Sequence, residues 1–256
     1  IVGMVEDLTF RSPELESMLR EQLYIPRTDH IKSSDLWNME SLVLPTEVTT
    51  LEDLKYFPAL KELDIRGCSI EDYSPLTYAD KLEILNLTGN LVSSDALEHI
   101  GQLTTLKELY LSGCGISGIS ALKELAQLEV LDLSDNSIQD ISALTPMQSL
   151  IQLNLRSNAI SSLDALSGLK TLREFNISYN SVSTLSPLQQ CMHMQILHAE
   201  RNKLLSVGAL GHMVDLSVLV LSGNQLEDIS ALNNCIRLTE LRVDNNLLTS
   251  IDCIAK

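Results

Sequence analysis

The chain has 256 residues, a net charge of −16 and 49 leucines, close to one residue in five. Its 45 % hydrophobic content excludes a disordered acidic chain. Its acidity opposes non-specific nucleic-acid binding, which needs clustered Lys and Arg, and no apolar run approaches the length of a membrane span. From the N-terminus, Ser12-Pro13-Glu14 has the form of a helix N-cap, a first-turn proline and an early acid. Leu15, Met18, Leu19 and Leu23 follow at helical spacing. A second helix start lies at Ser33-Ser34-Asp35, leading into Leu36, Trp37 and Met39. Residues 1–38 are therefore expected to form an N-terminal helical cap. The first residue is not Met, and no basic stretch followed by an apolar one opens the chain, so its start is expected to be processed or trimmed.

From residue 39 to 256 one pattern repeats, L-x-x-L-x-L-x-x-N-x-L. It starts at Met39, Leu60, Leu82, Leu106, Leu128, Leu150, Leu172, Met194, Leu216 and Leu238, at spacings of 21, 22, 24 and then 22 residues. In each unit two residues two apart, such as Leu131 and Leu133, face one side of a short strand. Leu128, Ile138, Ile141 and Leu144 turn into the same interior. One such unit cannot close a core, but stacked units share one. The ninth position turns the chain, and Asn holds it at Asn90, Asn136, Asn158, Asn180, Asn202, Asn224 and Asn246. Its amide both donates to and accepts from backbone groups that the turn leaves unpaired. Cys68 and Cys114 replace it in two units, and Glu47 in the first. Returning segments such as Asp140–Leu144 and Asp228–Leu232 are short, which predicts 3₁₀ turns. The 24-residue unit has room for a helix from Ser93 onward, with Ser94 or Asp95 as N-cap.

This pattern is the leucine-rich repeat. It predicts an α/β solenoid: a curved parallel strand array on the concave face, turns or 3₁₀ pieces on the convex face, and an α-helical N-terminal cap. The tenth repeat is cut short and no C-terminal cap follows, so a fragment of a longer chain is expected, the alternative being a solenoid with one end open.

Register also reads the five cysteines. Cys68 and Cys114 lie two units apart, as do Cys191 and Cys235. Two strand spacings are about 10 Å, beyond the about 7 Å reach of a disulfide. All five, with Cys253, are expected to be buried free thiols. Ser120-Ala-Leu-Lys123 matches an acyl-transfer pattern, but Ser120 aligns with the turn serines Ser142, Ser186 and Ser230. His193, His198 and His212 point apart and make no metal site. Asn86-Leu-Thr88 and Asn176-Ile-Ser178 match the glycosylation pattern inside strands. No catalytic constellation emerges, and neither cofactor nor metal is expected.

Function is expected on the outward face, at the second, third, fifth, seventh and eighth position of each unit. The candidate partner-binding residues there are Tyr110, Asp132, Arg156, Asn176, Tyr179, His198, Glu200, Arg201 and Arg242. Arg156, Asn176, Tyr179, His198, Glu200 and Arg201 fall in three adjacent units and include the aromatic and Arg types that anchor interfaces. Outward positions of the first five units hold eight acids and three bases, those of the last five hold four of each. A partner touching the first half is expected to be basic.

The unit L-x-x-L-x-L-x-x-N-x-I-x-D-I-S-x-L resembles the bacterial internalin-like repeat. Phe10, Pro13, Leu15, Glu16, Arg20 and Leu23, followed by Ile31 and Ser34-Asp35-Leu36, look like the helical cap that precedes such repeats in many Gram-positive surface proteins. That cap reads roughly F-x-D-P-x-L-E-x-x-I-R-x-x-L, with Ser12 and Leu19 here in place of Asp and Ile. The resemblance implies a secreted or surface-exposed module that binds a protein partner, often as one part of a larger protein. A monomer is expected and, from charge and run length, no nucleic acid and no membrane insertion. The alternative is a cytoplasmic scaffold or regulatory subunit, since the 22-residue unit is equally at home in intracellular leucine-rich proteins.

Overall fold

A computed structural model of the chain describes residues 5–252. Ten three-residue strands pair in parallel and in sequence order: β1 (Ser41–Val43), β2 (Glu62–Asp64), β3 (Ile84–Asn86), β4 (Glu108–Tyr110), β5 (Val130–Asp132), β6 (Gln152–Asn154), β7 (Glu174–Asn176), β8 (Ile196–His198), β9 (Val218–Val220) and β10 (Glu240–Arg242). The register aligns the fourth position of every unit, so Leu42, Leu63 and Leu85 begin one ladder that runs to Leu241. Phe175 takes the leucine place in the seventh unit and lies between Leu153 and Leu197. Fourth- and sixth-position side chains of units one to nine are buried in a single apolar core. The predicted solenoid is thus observed, with its interior face as read.

The turn asparagines tie successive units together. Asn136 Nδ2 donates to the carbonyls of Leu111 and Leu133 at 2.8 and 3.0 Å, and its Oδ1 accepts from the N–H groups of Cys114 and Ile116. Cys68 and Cys114 fill the same role more weakly, their sulfurs 3.4 Å from the Pro45 carbonyl and 3.3 Å from that of Leu87. The returning segments form 3₁₀ pieces, among them Ser142–Leu144 and Ser230–Asn234. Asp140 accepts the backbone N–H of Ser142 at 2.8 Å and its hydroxyl, Asp228 accepts the Ser230 hydroxyl at 2.7 Å and its backbone N–H, and these bonds hold both carboxyls below their usual range. Ser120 likewise opens a 3₁₀ piece, Ser120–Glu124.

The N-terminal segment carries α1 (Pro13–Gln22) and the single turn α2 (Ser33–Leu36). Ser12 Oγ accepts the N–H of Leu15 at 3.2 Å, as its N-cap position requires. The third helix, α3 (Ser94–Ile100), fills the 24-residue unit. Its N-cap is Ser93, not Ser94 or Asp95. The chain is still extended at Ser93, whose Oγ reaches the N–H of Ala96 at 3.1 Å. The helix ends at Gly101, where a Cβ would lie 2.1 Å from the Ala121 carbonyl oxygen. Only glycine lets α3 approach the next unit this closely.

Asp53 joins the N-terminal segment to the first repeat. It is 1 % exposed and accepts the backbone N–H groups of Arg11 at 2.8 and 3.0 Å and of Ser12 at 2.9 Å. Tyr56 adds a hydroxyl bond to the Thr9 carbonyl and an edge contact with Phe10. Removal of a charged acceptor from two backbone donors, one buried and one partly buried, costs about 2–3 kcal/mol. Asp53→Ala is therefore expected to lower stability in urea by that amount and to speed hydrogen exchange at Arg11 and Ser12. Unchanged exchange there would assign the attachment to apolar packing alone.

Cys68, Cys114, Cys191 and Cys235 are buried free thiols, as read. Burial pushes the Cys191 thiol up to about 11 and raises the other three. Cys253 lies outside the described residues.

Candidate functional site

The outward face is shaped by what each strand can hold between its neighbours. Its side chains stand in register across β1 to β10, so fifth-position residues form one row: Tyr110, Asp132, Asn154, Asn176, His198 and Val220 among them. Three outward positions are buried rather than exposed. Ser134 bonds sideways to Ser112 at 2.9 Å and to Asp132 at 2.6 Å. Val220 sits between His198 and Arg242 in the register. Ser178 is covered for a reason given below. Period-two alternation predicts which face a residue points to, not how closely its neighbours cover it.

Eight of the nine candidate residues line two hollows, four in each, and Arg156 lines neither. The first, of ≈ 400 Å³, spans β4 to β8 and is lined by Tyr110, Asp132, Asn176 and His198 together with Asn154 and Glu174. Val130 and Ile196 add apolar surface. Asp132 accepts from Ser134 and from Asn154 Nδ2, at 3.2 Å. Tyr110 donates its hydroxyl to Glu108 at 2.7 Å, and burial with that carboxylate pushes its pKa up to about 12. Asn86 and Asn176, the two glycosylation-pattern asparagines, turn back to accept the N–H of Thr88 and Ser178.

The three outward bases of the first five units are all used internally. Lys61 pairs with Glu40 at 2.8 Å, Arg66 with Asp64 at 2.8 Å and Lys107 with Glu83 at 2.7 Å. Among the described residues Glu62, Glu108, Glu129 and Asp132 have no such ion pair, so the acidity of this half is left uncompensated.

The second hollow, of ≈ 420 Å³, lies past the C-terminal ends of β7 to β10. Tyr179, Glu200, Arg201 and Arg242 line it, with Ser222 and Asp244. Arg156 reaches its edge. Its guanidinium lies 4.3 Å from the Tyr179 ring centroid, and that of Arg201 lies 5.8 Å from the same centroid. Arg156 also contacts Glu200 at 3.1 Å, from the sixth unit to the eighth. This pair spans Ser178, which holds the same position in the unit between and is fully buried with its Oγ unpartnered. Arg242 pairs with Glu240 at 2.8 Å.

The eighth position of each unit from the second to the tenth is left-handed. Gly67, Gly89, Gly113 and Gly223 hold it in four units, and Asp135, Ser157 and Asn245 in three. Tyr179 at φ 59° and Arg201 at φ 51° are the two bulky side chains in the row, and they are adjacent. A left-handed conformation costs a non-glycine residue roughly 1–2 kcal/mol. The recurring glycines in the sequence were the available signal for this, and outward exposure alone missed it. The sequence reading also missed Glu174, Ser222 and Asp244 as lining residues and Ser178 as a buried one.

His193 Nδ1 lies 3.4 Å from Asp215, outside both hollows. Among the described residues no three His, Cys, Asp or Glu side chains converge as metal ligands. No described helix is long and apolar enough to cross a membrane.

A family model described as leucine rich repeats (two copies) matches residues 104–146, 148–190 and 214–256, half of the chain. Among solved structures, an internalin (InlF) from Listeria monocytogenes is similar at TM-score 0.84 and 23 % identity, over 96 % of this chain and 79 % of that one. A second internalin (InlC2) from the same species is similar at TM-score 0.66 and 26 % identity, over 91 % and 94 %. The Arabidopsis receptor kinase HAESA, solved with the peptide hormone IDA and the co-receptor SERK1, matches at TM-score 0.70 and 27 % identity, over 84 % of this chain and 40 % of that one. No curated protein matches.

Proposed function

The chain belongs to the leucine-rich repeat family, and from that premise we propose that it is a non-enzymatic protein-binding module whose partner sits on the concave strand face. The observation that carries this is the adjacent pair Tyr179 and Arg201. Both hold a backbone conformation that glycine or asparagine adopts with less strain, and both present large side chains to solvent beside Arg156. Local strain kept at an exposed surface, away from the core, is a mark of function. Aromatic and Arg anchors on a rigid array lose little freedom on association.

The nine candidate residues then form one continuous partner surface. A basic stretch of the partner lies along the acidic first half, β1 to β5, and its remainder along the mixed second half. Residues 1–38 act as the cap of a monomeric solenoid. Likeness to the internalins supports a secreted or surface-exposed location. The four buried free thiols favour a second location, a reducing cytoplasm, in which the module is a scaffold or regulatory subunit. Labelling of intact cells with an antibody against the solenoid separates the two.

The test of function is a pull-down from bacterial and host extracts with the wild-type solenoid and a Tyr179→Asn/His198→Ala variant. Asn accepts left-handed backbone more readily than Tyr. The loss of two exposed cation–π contacts, about 0.5–1 kcal/mol each, is offset by that relief, so urea stability is expected to hold within about 1 kcal/mol. Proteins retained by the wild type are expected to be lost by the variant. Identical retention would remove the patch from the partner surface.

A further inference from the structure

We propose that the Arg156–Tyr179–Arg201 stack is a receptor for a side-chain carboxylate on an acidic peptide segment of the partner, and that Glu200 occupies it while the partner is absent. The inference rests on the protein-binding reading above and adds the chemistry that this part of the face recognises.

Both guanidiniums lie within cation–π distance of one ring, with Arg201 exposed and Arg156 partly so. Arg201 takes part in no ion pair among the described residues. It leans over Gly223, where a Cβ would meet Arg201 Cγ at 3.2 Å, so glycine in the ninth unit leaves room for it. The Arg156 guanidinium makes one hydrogen bond, from Nη1 to Glu200 Oε1 at 3.1 Å, and its other donors have no protein acceptor among the described residues. A planar fork is suited to two parallel bonds with one carboxylate. The single contact to Glu200 falls short of that, and the two side chains are 40 % and 26 % exposed. Such a pair is weak and is exchanged readily for a better acceptor.

Two further observations point to a ligand. Ser178, in the unit between those of Arg156 and Glu200, is fully buried and its Oγ has no hydrogen-bond partner. Native structures rarely leave a buried hydroxyl unpaired, and displacement of Glu200 uncovers this one next to the incoming carboxylate. The nearby acids are also engaged elsewhere. Asp244 accepts from the Ser222 hydroxyl and from Asn245, and Glu240 holds Arg242. Arg156 and Arg201 are thus the cations of this corner that an acidic segment meets. A lysine-bearing segment meets the opposite field in the hollow over β4 to β8.

The test follows the arginine Nε–Hε signals of the ¹⁵N-labelled chain by NMR. The probes are acetyl-tetraglutamate amide, the matching tetraglutamine and tetralysine amides, and sodium acetate. Tetraglutamate is expected to shift the Arg156 and Arg201 signals at concentrations where the other three leave them in place. Glu200→Gln removes the competitor and is expected to tighten tetraglutamate binding at least threefold. Arg201→Gln is expected to weaken it at least fivefold, and Arg201→Lys, which keeps the charge but not the fork, to recover only part of that. Equal shifts from tetralysine or acetate, or an affinity unmoved by Glu200→Gln in a variant that keeps its circular dichroism, would overturn the receptor. A partner pulled down equally well by Arg201→Gln leaves the protein-binding function standing and overturns this inference alone. Retention of every protein by Tyr179→Asn/His198→Ala, whatever the arginine shifts, would remove the patch from the partner surface and the receptor's partner with it.

Discussion

Phe175→Ala is expected to destabilise the solenoid by about 3–5 kcal/mol, because it removes a full aromatic ring from a close-packed ladder. Phe175 is 1 % exposed and stands in register between Leu153 and Leu197. Neither neighbour can follow the lost volume, since each is fixed by its own strand. In a stacked array each unit contacts only its neighbours, so the damage is expected to concentrate at units six to eight. Urea unfolding followed by circular dichroism gives the total. Faster hydrogen exchange at Leu155, Ile177 and Ala199 locates it. Phe175→Leu restores the ladder's usual residue and is expected to lose less than about 1.5 kcal/mol. A Phe175→Ala loss below about 1 kcal/mol would mean that the fourth position is not the interior position of that unit.

Asn202→Ala is expected to have a comparable effect by another route. Asn202 Nδ2 donates to the carbonyls of Ile177 at 2.9 Å, Ala199 at 3.3 Å and Glu200 at 3.2 Å, while Oδ1 accepts from the N–H of Val182 at 2.9 Å. The side chain is 8 % exposed, so water cannot replace all of these bonds. Each buried backbone group left unpaired costs about 1–3 kcal/mol, and the expected total is about 3–5 kcal/mol. The bonds join the eighth unit to the seventh, beneath Tyr179 and Glu200, so partner binding is expected to weaken with stability. Cys114→Ala offers the contrast. Its thiol is a weak donor to the Leu87 and Ser112 carbonyls at 3.3 and 3.5 Å, and its removal is expected to cost clearly less. Equal losses in the two variants, by urea titration, would show that packing rather than hydrogen bonding holds these turns.

The two substitutions also separate what the sequence encodes directly from what it does not. Repetition at 22 residues forces one register, and from it follow the parallel strand order, the interior ladder containing Phe175, the turn role of Asn202 and the free thiols. Each is a short-range relation repeated along the chain, so one clear unit determines them all. The Ser12 cap of α1 was legible for the same reason. The Asp53 clamp was not, because its partners Arg11 and Ser12 lie some forty residues away and carry no side-chain signal, only backbone N–H groups.

The candidate surface divides in the same way. Sequence alone determined that Tyr179, His198, Glu200 and Arg201 face outward, and that acidity falls from the first half of the array to the second. Only the tertiary structure decided that the eighth position is left-handed, that Arg156 reaches across a whole unit to Glu200, and that Ser178 and Val220 are covered. Periodicity states the direction of a side chain relative to its own strand. Which neighbours lean over it depends on side chains one and two units away, 22 or 44 residues distant in the chain, whose lengths and charges vary freely from unit to unit.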